Sequence, residues 1–270
     1  MRSTLSLSEL RLALFCAALA AMALLAPAVP QSAAFHGFAD ARSWQGIPFA
    51  VDVLSNVPFA LFGLSGLWAC WRLPATADSA QRALAALFFA GLVLTAGVSA
   101  AYHWHPDDLG LAQDRAGMSV AFAGLLGLAA ASRVSPRAGW ALAVSVLLLG
   151  PLTITVWLHG GNILPWGVLQ AGGMVLVMAL GLLRPRPGAW DLRWWVVIAL
   201  YALAKACESA DHAIFAFDAG WLSGHSLKHL LAACAAWPVL AAVRRAAVGG
   251  PGVCGQNPAA SEGLARRAAC

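Results

Sequence analysis

Apolar stretches long enough to cross a lipid bilayer alternate with short polar breaks along most of this chain. A hydrocarbon core about 30 Å thick requires roughly 20 apolar residues per transmembrane helix, and eight stretches approach that length. We name them spans a to h, and in chain order they cover residues 12–29, 51–71, 83–103, 116–131, 140–157, 164–183, 194–207 and 225–243. The pattern predicts an all-α fold, a polytopic membrane helix bundle.

The first and last parts of the chain are set apart from the main bundle. Span a is preceded by basic residues and followed by small ones, so a cleaved signal peptide is an alternative interpretation. Its apolar run exceeds the roughly 7 to 15 residues typical of a signal peptide, which favours a retained helix. We therefore divide the chain into an N-terminal membrane helix at 1–35, a main membrane domain at 36–245 and a tail at 246–270. The tail is rich in Gly, Ala and Pro, and we expect it to be disordered.

Composition agrees with a membrane protein and narrows the classes of partner. The chain is 60% apolar and 11% charged, whereas about 25% of the residues in a soluble domain are charged. The net charge of +5 does not indicate nucleic acid, because the basic residues are spread between apolar spans rather than gathered with aromatic residues in one patch. Membrane lipid is the expected partner, and no sequence feature points to a protein partner.

The distribution of charge predicts the orientation in the membrane. Alternate connections hold 13 of the 17 Lys and Arg residues, and the positive-inside rule places these connections and both termini in the cytoplasm. Eight of the 12 acidic residues and all seven histidines fall on the opposite face. The Ala-rich composition and the preference for Arg over Lys suggest a high-GC bacterium. We therefore expect an inner-membrane protein with its titratable chemistry at the periplasmic face.

Two short motifs on that face carry the candidate chemistry. Span c ends with Ser99 and His103, and span h opens with His225 and His229. Residues four apart lie on the same face of a helix, so three imidazoles should meet at a similar depth. Three neutral imidazoles with a fourth position open are typical of catalytic zinc, which activates a bound water. Asp114, at the opening of span d, could orient or deprotonate that water, and Ser99 could hydrogen-bond it or a developing oxyanion.

Each of these residues also has a purely structural interpretation. Two histidines at a helix end can simply lie at the membrane interface, Ser99 can bond back to its own helix, and Asp114 can cap span d. His105 should point away from His103. Glu208 and Asp211 are either outer groups of the site or the solvated end of span g. Ionisable groups within membrane spans are costly and usually functional, which favours a metal site.

These residues and their spacing resemble the alkaline ceramidases and the wider superfamily of seven-helix membrane hydrolases that includes the progestin and adiponectin receptors. The resemblance rests on Ser99-x-x-x-His103, on Asp114 eleven residues further on, and on His225-x-x-x-His229. It also includes Asp52-Val-Leu-Ser55-Asn56-x-Pro-Phe and covers roughly residues 40–237. It implies a seven-helix core of spans b to h, zinc on the three histidines, and Ser99 and Asp114 around a zinc-bound water.

One part of the family pattern is not reproduced. The ceramidases bind calcium through an N-terminal Asp-Trp-x-Glu-x-Asn cluster and an acidic residue at the place of Asp52. Here the corresponding segment reads Phe38-Ala-Asp40-Ala-Arg42-Ser-Trp44. Calcium binding near Asp40 and Asp52 therefore has little support.

The resemblance implies a zinc-dependent amidase that cleaves an N-acylated lipid, ceramide or ceramide-like, into a fatty acid and an amine. A lipid-binding receptor on the same scaffold, without turnover, is the alternative, because the sequence does not separate binding from hydrolysis. Haem and retinal are disfavoured. The chain has no C-x-x-C-H motif, and Lys228 lies too close to the opening of span h for a retinal lysine.

Overall fold

A computed structural model describes residues 5–248, and this part of the chain is a bundle of eleven helical segments without extended strands. The segments are α1 (Leu7–Leu25), α2 (Ala50–Leu54), α3 (Val57–Trp71), α4 (Ser79–Trp104), α5 (Asp108–Arg133), α6 (Pro136–Gly160), α7 (Leu164–Gly181), α8 (Trp194–Ser209), α9 (Asp211–Phe217), α10 (Gly224–Cys234) and α11 (Trp237–Val248). The all-α helix bundle predicted from the sequence is confirmed.

Two of the spans are helices with a break in the middle. Segments α2 and α3 together form the span Ala50–Trp71, and α10 and α11 form Gly224–Val248. With each of these pairs counted as one helix, the described part of the chain has seven helices long and apolar enough to cross a membrane. The structure therefore indicates a membrane protein.

The remaining predicted span, span g, corresponds to α8, which is shorter than a typical crossing helix. Its 16 residues extend about 24 Å at 1.5 Å per residue. Near its start, Arg245 of α11 donates to the Asp191 carbonyl at 2.7 Å, and at its end Glu208 accepts from Lys228 of α10 at 3.2 Å. Segment α8 thus runs antiparallel to α10 and α11 and returns the chain to the end of the bundle where the histidines lie.

Segment α1 begins and ends earlier than span a. Ser6 and Glu9 form a reciprocal capping box that starts the helix at Leu7. The Glu9 carboxylate is 9% exposed and pairs with Arg137 of α6 at 2.6 Å, so a charged residue inside the helix is satisfied by its neighbour. Retention of this helix in the mature protein stays a prediction.

Segment α5 begins eight residues before the predicted start of span d. Asp107 caps the helix by accepting a hydrogen bond from the Gly110 N–H at 2.6 Å. Asp114 therefore lies in the second turn and is buried, so the interpretation of Asp114 as a residue that opens or caps the helix is wrong. Helices α4 and α5 are in very close contact, since a methyl group on Gly124 would lie 2.2 Å from the Phe88 nitrogen. Nearer the start of α5, Asp114 lies beside Ser99 of α4.

The C-terminal boundary also differs from the predicted one. The tail was expected to begin at residue 246, but α11 continues to Val248. The remainder of the predicted tail, residues 249–270, lies outside the described residues, as do residues 1–4.

Candidate metal centre

Three histidines from two helices converge in the interior. His103 lies in the last turn of α4, and His225 and His229 lie one turn apart at the start of α10. All three are buried, and their candidate ligand atoms lie within 4.8 Å of one another. The Nε2 atoms of His103 and His225 are 3.2 Å apart. The cluster could hold a metal ion, and the spacing of both motifs predicts this convergence.

The hydrogen bonds around His229 assign its tautomer. Ser55 donates its only hydroxyl proton to the Asp52 carbonyl at 2.9 Å, so the same oxygen accepts from Nδ1 of His229 at 2.7 Å. A proton on Nδ1 leaves Nε2 with a free lone pair. Metal-binding histidines usually donate their second nitrogen to an acceptor in this way.

The break between α2 and α3 places Ser55 at this position. Asn56 donates to the Asp52 carbonyl at 2.9 Å. The Asp52 carboxylate in turn accepts from Ser226 at 2.5 Å and Ser223 at 3.2 Å. These bonds attach α2 to the first turn of α10 and so hold His229 against Ser55. The family resemblance pointed to the Ser55 element, but only the structure shows its contact.

The start of α10 is held equally tightly by α8 and α9. A methyl group on Gly224 would lie 2.2 Å from the Cys207 carbonyl oxygen, so glycine is required for this approach. Asp211 accepts from the His225 N–H at 2.7 Å and from the Ala39 N–H at 3.0 Å. Asp211 therefore fixes the backbone that carries the first histidine of the motif, and the prediction of a solvated helix end is wrong for this residue.

Lys228 lies beside the cluster, and the sequence analysis did not assign it a place there. Its Nζ atom lies 2.7 Å from Nε2 of His225 and 3.2 Å from a Glu208 oxygen. Glu208 also pairs with Lys205. A metal ion on His225 would repel this ammonium, and Glu208 is the carboxylate placed to hold it. Glu208 is thus an outer group of the site. Lys228 could have been assigned to the site from the sequence, because it lies between the two histidines of the motif.

The segment before α2 covers the cluster on the side away from the bundle centre. The ring of Phe38 lies 4.7 Å from the His103 ring and 4.6 Å from the His225 ring. Burial raises the pKa of Asp40, but hydrogen bonds from the Arg42 side chain and backbone, together with its charge, bring that pKa below its ordinary value. Arg42 also donates to the Trp221 carbonyl at 3.0 Å. This ion pair fixes the segment that carries Phe38.

A largely apolar cavity of about 340 Å³ lies on the other side of the histidines. His225 and His229 contribute to its wall, and so do Ser99 and Asp114. The Ser99 hydroxyl lies beside the Asp114 carboxylate, one oxygen of which is buried without a hydrogen-bond partner among residues 5–248. The structure thus brings all five residues of the predicted site to one place.

The other histidines lie outside the cluster. His105 caps the end of α4 and is exposed. His36 lies 2.9 Å from the Tyr102 hydroxyl and 3.1 Å from Asp108, and His212 bonds the Gly37 carbonyl at 2.9 Å. These contacts join surface segments to the bundle.

No protein-family model matches this chain, and a search of curated proteins finds no significant match.

We expect Ser55→Ala to weaken metal binding without changing the fold. The substitution removes the acceptor that orients His229, and loss of such a partner typically lowers metal affinity about 10- to 100-fold. Competition with a chromogenic chelator measures the affinity. Ser132→Ala is the matched control, because Ser132 is also buried but its hydroxyl donates to the Ala129 carbonyl near the far end of α5. Unchanged affinity in Ser55→Ala would show that Ser55 does not support a metal ligand.

Proposed function

We propose that this protein is a zinc-dependent membrane hydrolase that cleaves the amide bond of an N-acylated lipid, ceramide or ceramide-like, into a fatty acid and an amine. The observation that carries the proposal is the meeting of three buried histidines with a buried carboxylate at one end of an apolar cavity. The resemblance to the alkaline ceramidases supports the same reaction.

Zinc suits this donor set. Two nitrogens on a tetrahedral zinc ion, each about 2.0–2.1 Å from the metal, lie about 3.3 Å apart, close to the 3.2 Å between His103 and His225. Three imidazoles leave one position open, as in catalytic sites. When bound, zinc supplies Lewis acidity and makes a water molecule acidic enough to be a nucleophile near neutral pH.

Asp114 and Ser99 supply the proton transfers and the polar contacts of the reaction. The unpartnered oxygen of Asp114 can accept a proton from the attacking water and then deliver it to the nitrogen of the leaving amine. The Ser99 hydroxyl, beside this carboxylate, can donate to the carbonyl oxygen as negative charge develops on it. Phe38 excludes external water from the opposite side of the histidines.

The shape of the cavity suits an acyl chain. Along α4 it is lined from Phe88 to Ser99, a distance of about 16 Å along the helix axis. Its volume lies within the range of about 300–1,000 Å³ typical of small-molecule sites. A lipid that enters laterally from the bilayer would place its chain among Leu92, Leu125 and Leu126 and its amide bond near Asp114.

We further propose that the histidine end of the bundle faces the periplasm of a bacterial inner membrane, with both termini in the cytoplasm. Asp108 is exposed at this end, and Ala75 is exposed in the turn between α3 and α4 at the other end. A cysteine at Asp108 should react with an impermeant thiol reagent in whole cells, above the level of the parent protein. A cysteine at Ala75 should react only after lysis, and the reverse pattern would invert the orientation.

Turnover distinguishes the hydrolase from a receptor on the same scaffold. The purified zinc-loaded protein should release fatty acid from a detergent-dispersed N-acyl lipid such as ceramide, as measured by mass spectrometry. His103→Ala protein, purified and incubated with zinc in the same way, is the control for a contaminating hydrolase. Stable binding of the lipid without release of fatty acid would support the receptor alternative.

A further inference from the structure

The side chain of Arg115 is a buried cation that the proposed reaction does not use. It is 3% exposed, it lies next to Asp114 in α5, and it lines the same cavity. Its Nη2 atom donates to the Gln31 side chain, whereas Nη1 has no hydrogen-bond partner among residues 5–248. Within the same residues, Arg115 forms no salt bridge.

Aromatic rings surround this guanidinium without neutralising it. Its central carbon lies 4.1 Å from the centroid of Trp157, 5.4 Å from Phe35 and 5.8 Å from Trp166. Cation–π contacts and the charge of the neighbouring Asp114 offset part of the cost of burial, but a buried guanidinium with no carboxylate in direct contact remains unfavourable. A ligand that brings an anionic group would supply the missing counter-ion.

The net charge at this end of the cavity also favours an anionic ligand. The polar lining contains three cations, Arg115, Lys205 and Lys228, and two carboxylates, Asp114 and Glu208. Glu208 pairs with both lysines. The cavity therefore has one cation in excess before any metal binds.

The position of Arg115 indicates which half of the substrate it would meet. It belongs to the part of the cavity lined by Phe35, Ile163 and Trp166, at the histidine end, whereas the apolar part extends from Leu92 toward Phe88. With the acyl chain in the apolar part and the amide bond at Asp114, the amine half lies against Arg115.

We infer that Arg115 binds a carboxylate on the amine half of the substrate, so that, among the N-acylated lipids the enzyme would cleave, N-acyl amino acids are preferred over neutral ones, ceramide included. A carboxylate suits a single free guanidinium nitrogen, because hydrogen bonds between charged groups are the strongest that such a donor forms. Gln31 holds the other nitrogen in place. This inference rests on the proposed function.

The test compares N-lauroylglycine with N-lauroylethanolamine, which share an acyl chain and differ in the carboxylate. The full-length zinc-loaded protein in detergent should hydrolyse the acid with a kcat/KM about 10- to 100-fold higher, the range expected for a charged hydrogen bond. Arg115→Gln should remove this preference, mainly through a higher KM for the acid, so that the ratio of kcat/KM between the two compounds falls toward one. Arg133→Gln, at the far end of α5, should keep the preference.

Equilibrium binding of both compounds separates this inference from the proposed function. If wild type hydrolyses neither compound but binds the acid more tightly, and Arg115→Gln loses that difference, the carboxylate site stands and the proposed hydrolase fails. Equal binding of the two compounds by wild type, or a preference that survives in Arg115→Gln, overturns the carboxylate site. If Arg115→Gln does not fold, Arg115→Lys replaces it. Selective weakening of acid binding then supports the site, and an equal change for both compounds contradicts it.

Discussion

Replacing His225 with alanine should reduce the zinc content of the purified protein from about one ion per chain to a small fraction of that, since a catalytic zinc site has only three protein ligands. His105→Ala should leave the zinc content near the wild-type value, because His105 is exposed at the end of α4. Mass spectrometry of the metal content, normalised to protein, measures both. Circular dichroism checks that each variant remains helical.

The outcomes of this pair distinguish a metal centre from a structural cluster. Equal loss of zinc in both variants would mean that His105 contributes to binding and that the ligand set is wrong. Retention of zinc in both would show that the three histidines do not hold the metal. In that case their contacts, including the 2.7 Å bond between His229 and Ser55, serve the fold alone.

Asp114→Asn should abolish most of the hydrolysis while zinc remains bound. Asparagine has nearly the same shape as aspartate but cannot accept the proton of the attacking water. General-base catalysis typically contributes about 10²- to 10⁴-fold, so kcat on an N-acyl lipid should fall by that order. Asp108→Asn is the control on the same helix, since Asp108 is exposed and contacts His36 outside the cavity. It should retain both activity and zinc.

Two results would contradict this role for Asp114. Full activity of Asp114→Asn on a proven substrate would show that the proposed mechanism is wrong even with zinc present. Loss of zinc as complete as in His103→Ala would make Asp114 a fourth ligand. A closed set of four protein ligands is typical of a structural metal, and the proposal of catalysis would then fail.

Hydropathy alone predicts most of the bundle, because spans in a bilayer must be long and apolar whatever they pack against. Hydropathy misplaces helix ends where charged residues lie inside the fold and face internal partners or a cavity instead of water. The polar stretch before residue 116 obscured the start of α5, since Asp114 and Arg115 face an internal cavity rather than water. Glu9 likewise lies inside α1, where Arg137 neutralises it.

The histidine cluster could be predicted because its spacing is local. A spacing of four places His225 and His229 on one face of α10, and the end of α4 supplies His103 at the same depth. The groups around the cluster depend on contacts between distant parts of the chain. Ser55, Phe38 and Glu208 reach the histidines through helix breaks, a covering segment and a neighbouring helix, and no local spacing encodes these approaches.

The measurement that tests the central claim most directly is fatty-acid release from an N-acyl lipid. It is made on one protein sample in three states: as purified, after removal of the metal by a chelator, and after zinc is added back. We expect the protein as purified to contain about one zinc ion per chain and to release fatty acid. Release should stop when the metal is removed and recover when zinc alone is added back. Release that persists after complete removal of the metal would contradict a zinc-dependent reaction. Absence of release at full zinc occupancy, with lipid bound in the cavity, would contradict hydrolysis itself.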